Sequence, residues 1–232
     1  MAFDVLQKMK SLNDEIELFR TPHEFIVWFE KVLERSRSFN RKQRSDARLH
    51  KGVYKIIYEE LYPLYSLLSY KRDEWKSARF KNRIGSQNFD VEIQGQALEY
   101  FEISTSQFDD GEVFRMKELA KEGSVDLIAP VSRDHKGRPI DLEGRDDMRE
   151  HQDIISERLD LILRRIKVKS QKNYPDKTGL IVYFDDASID ITIEDRELLT
   201  GVLEESKSVW SKQFDQIFLV GPTTNNCIDK KA

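Results

Sequence analysis

The chain has 232 residues, of which 39% are hydrophobic and 34% are charged, a composition that excludes collagen and intrinsic disorder. Its one cysteine, Cys227, excludes a disulfide framework and a cysteine-based zinc site. No apolar run in the sequence approaches the roughly 20 residues that a membrane span needs. We therefore expect a cytoplasmic protein with one main domain and no membrane partner.

Charge is unevenly distributed along the chain, although the net charge is only -4. Residues 35–83 contain 14 Lys and Arg against 5 Asp and Glu, whereas residues 84–232 contain 20 against 30. A local excess of this kind can attract anions to one surface of an acidic protein. We therefore expect that any contacts with nucleic acid lie in two basic segments, 35–51 and 71–83. The candidate residues are Arg41, Lys42, Arg44, Lys76, Arg79, Lys81 and Arg83.

The N-terminal part of the chain predicts a helical arm and a linker. Apolar residues recur at helical spacing through residues 1–35, and Thr21, Pro22 and Glu24 form the start signal of a second helix. Two short helices cannot form a core alone, so we expect the arm to pack on the main domain or on a protein partner. Residues 36–51 are almost free of apolar side chains, which predicts an exposed linker.

Residues 52–221 predict the main domain. A helix begins near Val53 and is bent near Pro63, and two alternating segments, Phe89–Gln94 and Leu98–Thr105, predict a hairpin that turns at Gly95-Gln96. A short helix follows over 112–122, and then a strand over 125–129. The polar loop over 132–147 has a composition that predicts mobility or a binding role, and the next helix has Ile155, Leu159, Ile162 and Ile166 on one face.

Two continuous apolar runs, Leu180–Phe184 and Ile217–Val220, predict strands that are covered on both faces, with a helix near 195–213 between them. The alternation of helices and strands predicts an α/β fold of the mixed α+β kind, in which helices flank a central mixed sheet. The tail, residues 222–232, is polar, and we expect it to be flexible.

Three acidic residues stand out against this pattern. Glu60 follows Ile57 and precedes Leu64 on the apolar face of its helix, where an unpaired carboxylate would be costly. The alternative is that Pro63 rotates the apolar face and leaves Glu60 at its edge beside a lysine. Asp90 lies in the first hairpin strand, and Glu102 lies in the middle of the second, within LEYFEIST.

The hairpin FDVEIQ, turn, YFEIS resembles the restriction-endonuclease-like nuclease superfamily, whose motif is written PD-(D/E)XK. Asp90 and Glu102 match the two motif acids, and Glu60 matches the additional helical acid of many members. The motif lysine is replaced by Ser104, and we expect Lys169 to substitute for it from the helix that precedes Leu180. Its alternative role is that of a solvated lysine at a helix end. The resemblance implies a restriction-endonuclease-like fold for residues 52–221.

The resemblance also implies a metal site, because phosphodiester hydrolysis uses a cation that neutralises the phosphate and acidifies a bound water. Mg²⁺, or Mn²⁺, would be held by Asp90 and Glu102. The hairpin register stays open: a two-residue turn would place Asp90 across from Phe101, and a three-residue loop would place it across from Tyr100. Only the second arrangement was expected to bring the two acids together.

Three functions are consistent with these observations. The first is a metal-dependent nuclease that hydrolyses phosphodiester bonds in DNA, with a homodimer as a possible form. The second is a binding module of the same fold that has lost catalysis, which Ser104 would explain. The third is an accessory protein that binds another protein through its N-terminal helices and has no role with nucleic acid.

Overall fold

The central feature of the fold is a sheet of six strands. A computed structural model describes residues 12, 14–36, 38–106, 110–122, 131–142, 150–184, 191–223 and 227–232. The sheet strands are β1 (Arg79–Asn82), β2 (Val91–Gln94), β3 (Tyr100–Thr105), β6 (Thr178–Tyr183), β7 (Gln216–Val220) and β8 (Cys227–Lys231). Their spatial order is β1-β2-β3-β6-β7-β8. A separate two-stranded ribbon consists of β4 (Val131–Arg133) and β5 (Pro139–Leu142).

Helices lie on both faces of this sheet. They are α1 (Pro22–Ser36), α2 (Arg41–Arg48), α3 (Val53–Ile56), α4 (Tyr62–Lys71), α5 (Asp110–Glu122), α6 (His151–Lys169), α7 (Ile193–Glu205) and α8 (Lys207–Trp210). A π-helical turn, Ile57–Leu61, joins α3 to α4. Within the described residues, no helix is long and apolar enough to cross a bilayer.

The sheet is mixed, as the sequence predicts. Strand β3 pairs with β6, and β6 with β7, in parallel, whereas the outer pairs β1-β2, β2-β3 and β7-β8 are antiparallel. The two continuous apolar runs fall in β6 and β7, which occupy interior positions with buried residues on both faces. The predicted fold class, a mixed sheet flanked by helices, is therefore confirmed.

Two hydrophobic clusters cover the two faces of the sheet. One packs the N-terminal helices and α4 on side chains such as Phe80, Phe101 and Phe218, and the other packs α6 and α7 on Leu180 and Leu219. The N-terminal segment also continues the sheet at its edge, because Arg20 exchanges backbone hydrogen bonds of 2.8 and 2.9 Å with Phe80. The helical arm thus packs on the main domain.

Both basic segments contain regular structure, although we expected residues 36–51 to be an exposed linker. Residues 41–48 of the expected linker form α2, which begins with a capping box between Asn40 and Gln43. Residues 79–82 of the second segment form β1, where Phe80 and Asn82 are buried while Arg79 is exposed. This two-residue alternation is present in the sequence, but it covers only four residues.

The C-terminal tail is a second difference. We expected residues 222–232 to be flexible, but Cys227–Lys231 pairs with β7 along its whole length and becomes an edge strand. Lys71 of α4 holds this strand through an ion pair of 2.7 Å with Asp229. The expected polar loop over 132–147 contains the β4-β5 ribbon as far as Leu142, and its residues 143–147 lie outside the described residues, as does the expected strand over 125–129.

Candidate functional site

Asp90 and Glu102 lie next to each other in the hairpin, in a register that differs from both of those we considered. Val91 pairs with Phe101, so the chain just before β2 reaches Glu102. The backbone N–H of Asp90 donates to the Phe101 carbonyl at 2.8 Å, and the Asp90 carboxylate accepts a bond of 2.7 Å from the Ile103 N–H. Asp90 is therefore bonded to the backbone on either side of Glu102, through its own N–H to Phe101 and through one carboxylate oxygen to Ile103.

Glu60 approaches these two acids from the π-helical turn. The amide of Tyr62 bonds the carbonyl of Ile57, so the turn contains one residue more than an α-helical turn would. Pro63 explains this locally, because its ring cannot be placed against the carbonyl of Glu59 without a clash in a regular helix. The result is that Glu60 is half-buried and is influenced by the charges of Asp90 and Glu102.

Lys169 reaches the same place from the last residue of α6. Ile162 and Ile166 are buried on the sheet, and the helical spacing turns Lys169 to that face. Its ammonium forms an ion pair with the Glu102 carboxylate and donates to the Ile103 carbonyl at 3.4 Å. Ser104, at the motif lysine position, is buried in β3. We call Glu60, Asp90, Glu102 and Lys169 the acidic site.

Electrostatics in the acidic site favour the protonated forms of Glu60 and Asp90. Burial raises the pKa of Glu60 to about 8, and the negative charge of Asp90 adds to this effect. Burial also raises the pKa of Asp90 well above its usual range, together with the charge of Glu102 and against the opposing effects of the Ile103 amide and Lys169. A group with this much unfavourable negative charge can bind a cation.

The donor set fits a hard divalent cation. Asp90 and Glu102 present carboxylate oxygens beside each other, and Mg²⁺ needs only one or two carboxylates because water and phosphate complete its shell. Within the described part of the chain, no group of three or more His, Cys, Asp or Glu side chains has an arrangement that could hold a metal ion. Any binding at the acidic site would therefore involve the two strand acids, with Glu60 near them.

The residues of the second basic segment that we expected to bind nucleic acid lie before, within and after β1. Arg83 follows β1 directly, and its backbone N–H donates to the Asp90 carbonyl at 2.8 Å, which places it beside the acidic site. Arg79 pairs with Gln94 at the opposite end of the hairpin, about 13 Å away at 3.3 Å per residue. Lys76 is exposed and precedes Arg79, so it is still further in sequence from Arg83. Lys81 lies over the ring of Phe19 at 5.0 Å.

The basic residues of the first segment lie on α2. Lys42 is 87% exposed and pairs with Asp46 at 2.9 Å, and Arg44 is exposed. Arg41 begins the helix, but its side chain lies outside the described residues. The chain then returns toward the acidic site, because His50 Nδ1 lies 3.0 Å from a carboxylate oxygen of Glu59, the neighbour of Glu60.

Sequence analysis missed two side chains of this region, Tyr174 and Lys55, and noted Lys172 only as the inward position one turn after Lys169. Tyr174 follows α6 and packs on Phe214 with ring centroids 4.8 Å apart, and burial together with the nearby Glu102 raises the pKa of its hydroxyl. The positive charges of Lys172 and Lys55 act on Asp90 and Glu60. The motif Asn-Tyr-Pro is a helix stop signal, and nothing in it indicated the contact that Tyr174 makes across the sheet.

Comparisons of the chain with protein-family models, with curated proteins and with solved structures found no match.

Proposed function

We propose that this chain is a metal-dependent nuclease-like protein that hydrolyses phosphodiester bonds in DNA. One observation supports this proposal above the others: Glu60, Asp90 and Glu102 influence one another electrostatically, and Lys169 pairs with Glu102. Four separate segments of the chain supply these residues. They are also the residues to which the sequence resemblance assigned a common role.

In this proposal, each side chain has a distinct part. Asp90 and Glu102 would hold Mg²⁺ or Mn²⁺, which supplies charge neutralisation at the phosphate and a more acidic bound water. Lys169 orients the attacking water from its position between Glu102 and the Ile103 carbonyl. Glu60, whose pKa is about 8, keeps a proton near neutral pH and so limits the repulsion among the acids.

Lys169 takes the place of the motif lysine, and this favours an active enzyme over the inactive binding module. A lysine two positions after Glu102 would come from the same strand, whereas here the ammonium group comes from α6 and still contacts Glu102. The charge and the contact are therefore retained although Ser104 is uncharged. A homodimer and a protein partner for the helical arm stay predictions.

The experiment measures plasmid cleavage and thermal stability in Mg²⁺ and in Mn²⁺. We expect the wild type to cut DNA and to unfold at a higher temperature when the cation is present, because binding to the native state stabilises it. Asp90→Asn and Glu102→Gln should lose both effects. Glu92→Gln is the matched control, since Glu92 is a half-buried acid of β2 that lies outside the acidic site.

Three outcomes would change the proposal. If neither cation raises the melting temperature and no DNA is cut, the nuclease function is wrong. If Glu92→Gln loses cleavage and cation-dependent stabilisation to the same extent as the other two variants, the acidic site has no special role. If the cation binds but DNA is bound without cleavage, the chain is an inactive binding module, and Ser104 becomes the explanation.

A further inference from the structure

A small cavity lies beside the turn that positions Glu60. It has a volume of about 330 Å³ and is formed by the end of α1, by α2, by the π-helical turn and by α5. Its lining includes Phe39, Arg44, His50, Tyr58 and Met116. We call it the aromatic cavity. Its volume lies at the lower end of the range for small-molecule sites, so it suits one small planar group.

The walls of the aromatic cavity include three rings and the side chain of Met116, together with Ser36 and Ala47. The rings of His50 and Tyr58 are stacked, with centroids 5.3 Å apart and an angle of 24° between their planes. Phe39 is held in place by an edge contact of 5.3 Å with Tyr54. Such flat, fixed surfaces favour a planar aromatic group, because stacking requires little loss of side-chain freedom.

The entrance of the aromatic cavity is positively charged. Arg44 lines the cavity and is exposed to solvent, and α2 contains four Lys and Arg residues against one acid, Asp46. The carboxylate of Asp46 pairs with Lys42 on the same helix. An aromatic interior with a basic entrance complements a planar base that is linked to a phosphate.

The aromatic cavity and the acidic site share one structural element. Tyr58 lines the cavity, Glu59 contacts His50, which also lines it, and Glu60 belongs to the acidic site. These three residues are consecutive in the π-helical turn. Side chains two positions apart on a helix do not face each other, so Tyr58 and Glu60 point to different sides of this turn. A strand that occupies both the cavity and the acidic site would therefore pass around the turn.

We propose that the aromatic cavity binds one unpaired nucleobase of the strand that is cut, on the other side of the π-helical turn from the acidic site. The preferred substrate is then single-stranded nucleic acid, or a duplex with an unpaired nucleotide, since a base in a regular duplex is stacked and paired and cannot enter. This inference rests on the proposed nuclease function, which by itself does not specify the strand structure.

The first experiment compares the binding of a fluorescent single strand and of the matching duplex, both without divalent cation so that no turnover occurs. We expect the single strand to bind more tightly at equal salt. Phe39→Leu retains an apolar side chain but removes the ring. It should weaken the binding of the single strand by about fivefold or more, which is the lower end of the range for one stacked base. The duplex should be affected much less.

Arg44→Ala and Lys42→Ala form a pair matched in charge. Both remove one positive charge from α2, and both should therefore reduce the salt dependence of binding. Only Arg44 lines the cavity, so only Arg44→Ala should also reduce the preference for the single strand. Because both side chains are exposed, neither change should impair folding, and thermal unfolding of each variant checks this.

A direct readout of stacking comes from 2-aminopurine placed at successive positions of the single strand. Its emission should be strongly quenched at one position in the wild type, and this quenching should decrease in Phe39→Leu. Equal quenching at all positions, or an equal loss of preference in Arg44→Ala and Lys42→Ala, would overturn the assignment of the aromatic cavity.

The outcomes distinguish a wrong assignment of the aromatic cavity from a wrong nuclease function. If DNA is cut but duplex and single strand bind equally, the cavity assignment is wrong and the nuclease function stands. If adenosine monophosphate and the single strand bind in a manner that depends on Arg44 and Phe39, but nothing is cut under any metal condition, the cavity binds a base and the nuclease function is wrong. If no nucleotide or nucleic acid binds, the cavity assignment fails.

Discussion

Replacing Glu60 with glutamine tests the electrostatics of the acidic site directly. The native state raises the pKa of this carboxyl from an ordinary 4.5 to about 8, chiefly by burial. The folded protein therefore binds the proton more tightly than the unfolded chain does. As a result, the free energy of unfolding of the wild type decreases as pH rises from about 4.5 to about 8. The uncharged amide of Glu60→Gln is not subject to this loss.

The structure gives the size of the effect. At about 1.36 kcal/mol per pKa unit, the difference between 4.5 and about 8 corresponds to about 5 kcal/mol. This is an upper limit, because the glutamine amide must also be desolvated and because Asp90 becomes easier to ionise once Glu60 is uncharged. We therefore expect Glu60→Gln to be more stable than the wild type by about 2 to 5 kcal/mol above pH 8.

Urea denaturation of both proteins across this pH range, without divalent cation, measures the difference. The two proteins should have nearly equal stability near pH 5, and their stabilities should diverge as pH rises. Glu92→Gln provides the matched control, because it removes a carboxylate of β2 outside the acidic site and should show no such divergence. A constant difference between Glu60→Gln and the wild type from pH 5 to 9 would refute the assignment of a half-buried, protonated Glu60.

Three further predictions concern packing and charge at other positions. Lys169→Met removes the partner of Glu102 and should lower the stability at pH 7 by about 3 kcal/mol in urea denaturation; unchanged stability would mean that the ion pair is not desolvated. Gly179→Ala should lower the free energy of unfolding by about 1 to 3 kcal/mol, because the new Cβ would lie 2.8 Å from Cε1 of the buried Phe101. An unchanged melting temperature would contradict this. Asn82→Leu should raise the stability by about 1 kcal/mol or more, because neither polar side-chain atom of this buried residue has a hydrogen-bond partner within the described residues; a loss of stability would show that the amide has a partner such as water.

Much of the acidic site could be expected from the sequence, because local patterns specify which face of an element a side chain occupies. Alternation in the hairpin indicated that Glu102 lies on a strand. Helical spacing after Ile162 and Ile166 turned Lys169 inward, where it contacts Glu102. The register of the hairpin could not be expected, because it depends on the loop length and on the bond that the Asp90 carboxylate accepts from the Ile103 N–H.

The sequence by itself determined the mixed sheet and two of its interior strands, β6 and β7, since continuous apolar runs must be covered on both faces. Only the tertiary structure decided that two charged segments, Arg79–Asn82 and Cys227–Lys231, become strands of that sheet. Edge strands of this kind gain their backbone hydrogen bonds from a neighbouring strand, here β2 or β7, so a local pattern of four or five residues cannot specify them. Tyr174 lies near Glu102, 72 positions earlier in the chain, because it follows α6, which packs on β6, the strand that pairs with β3.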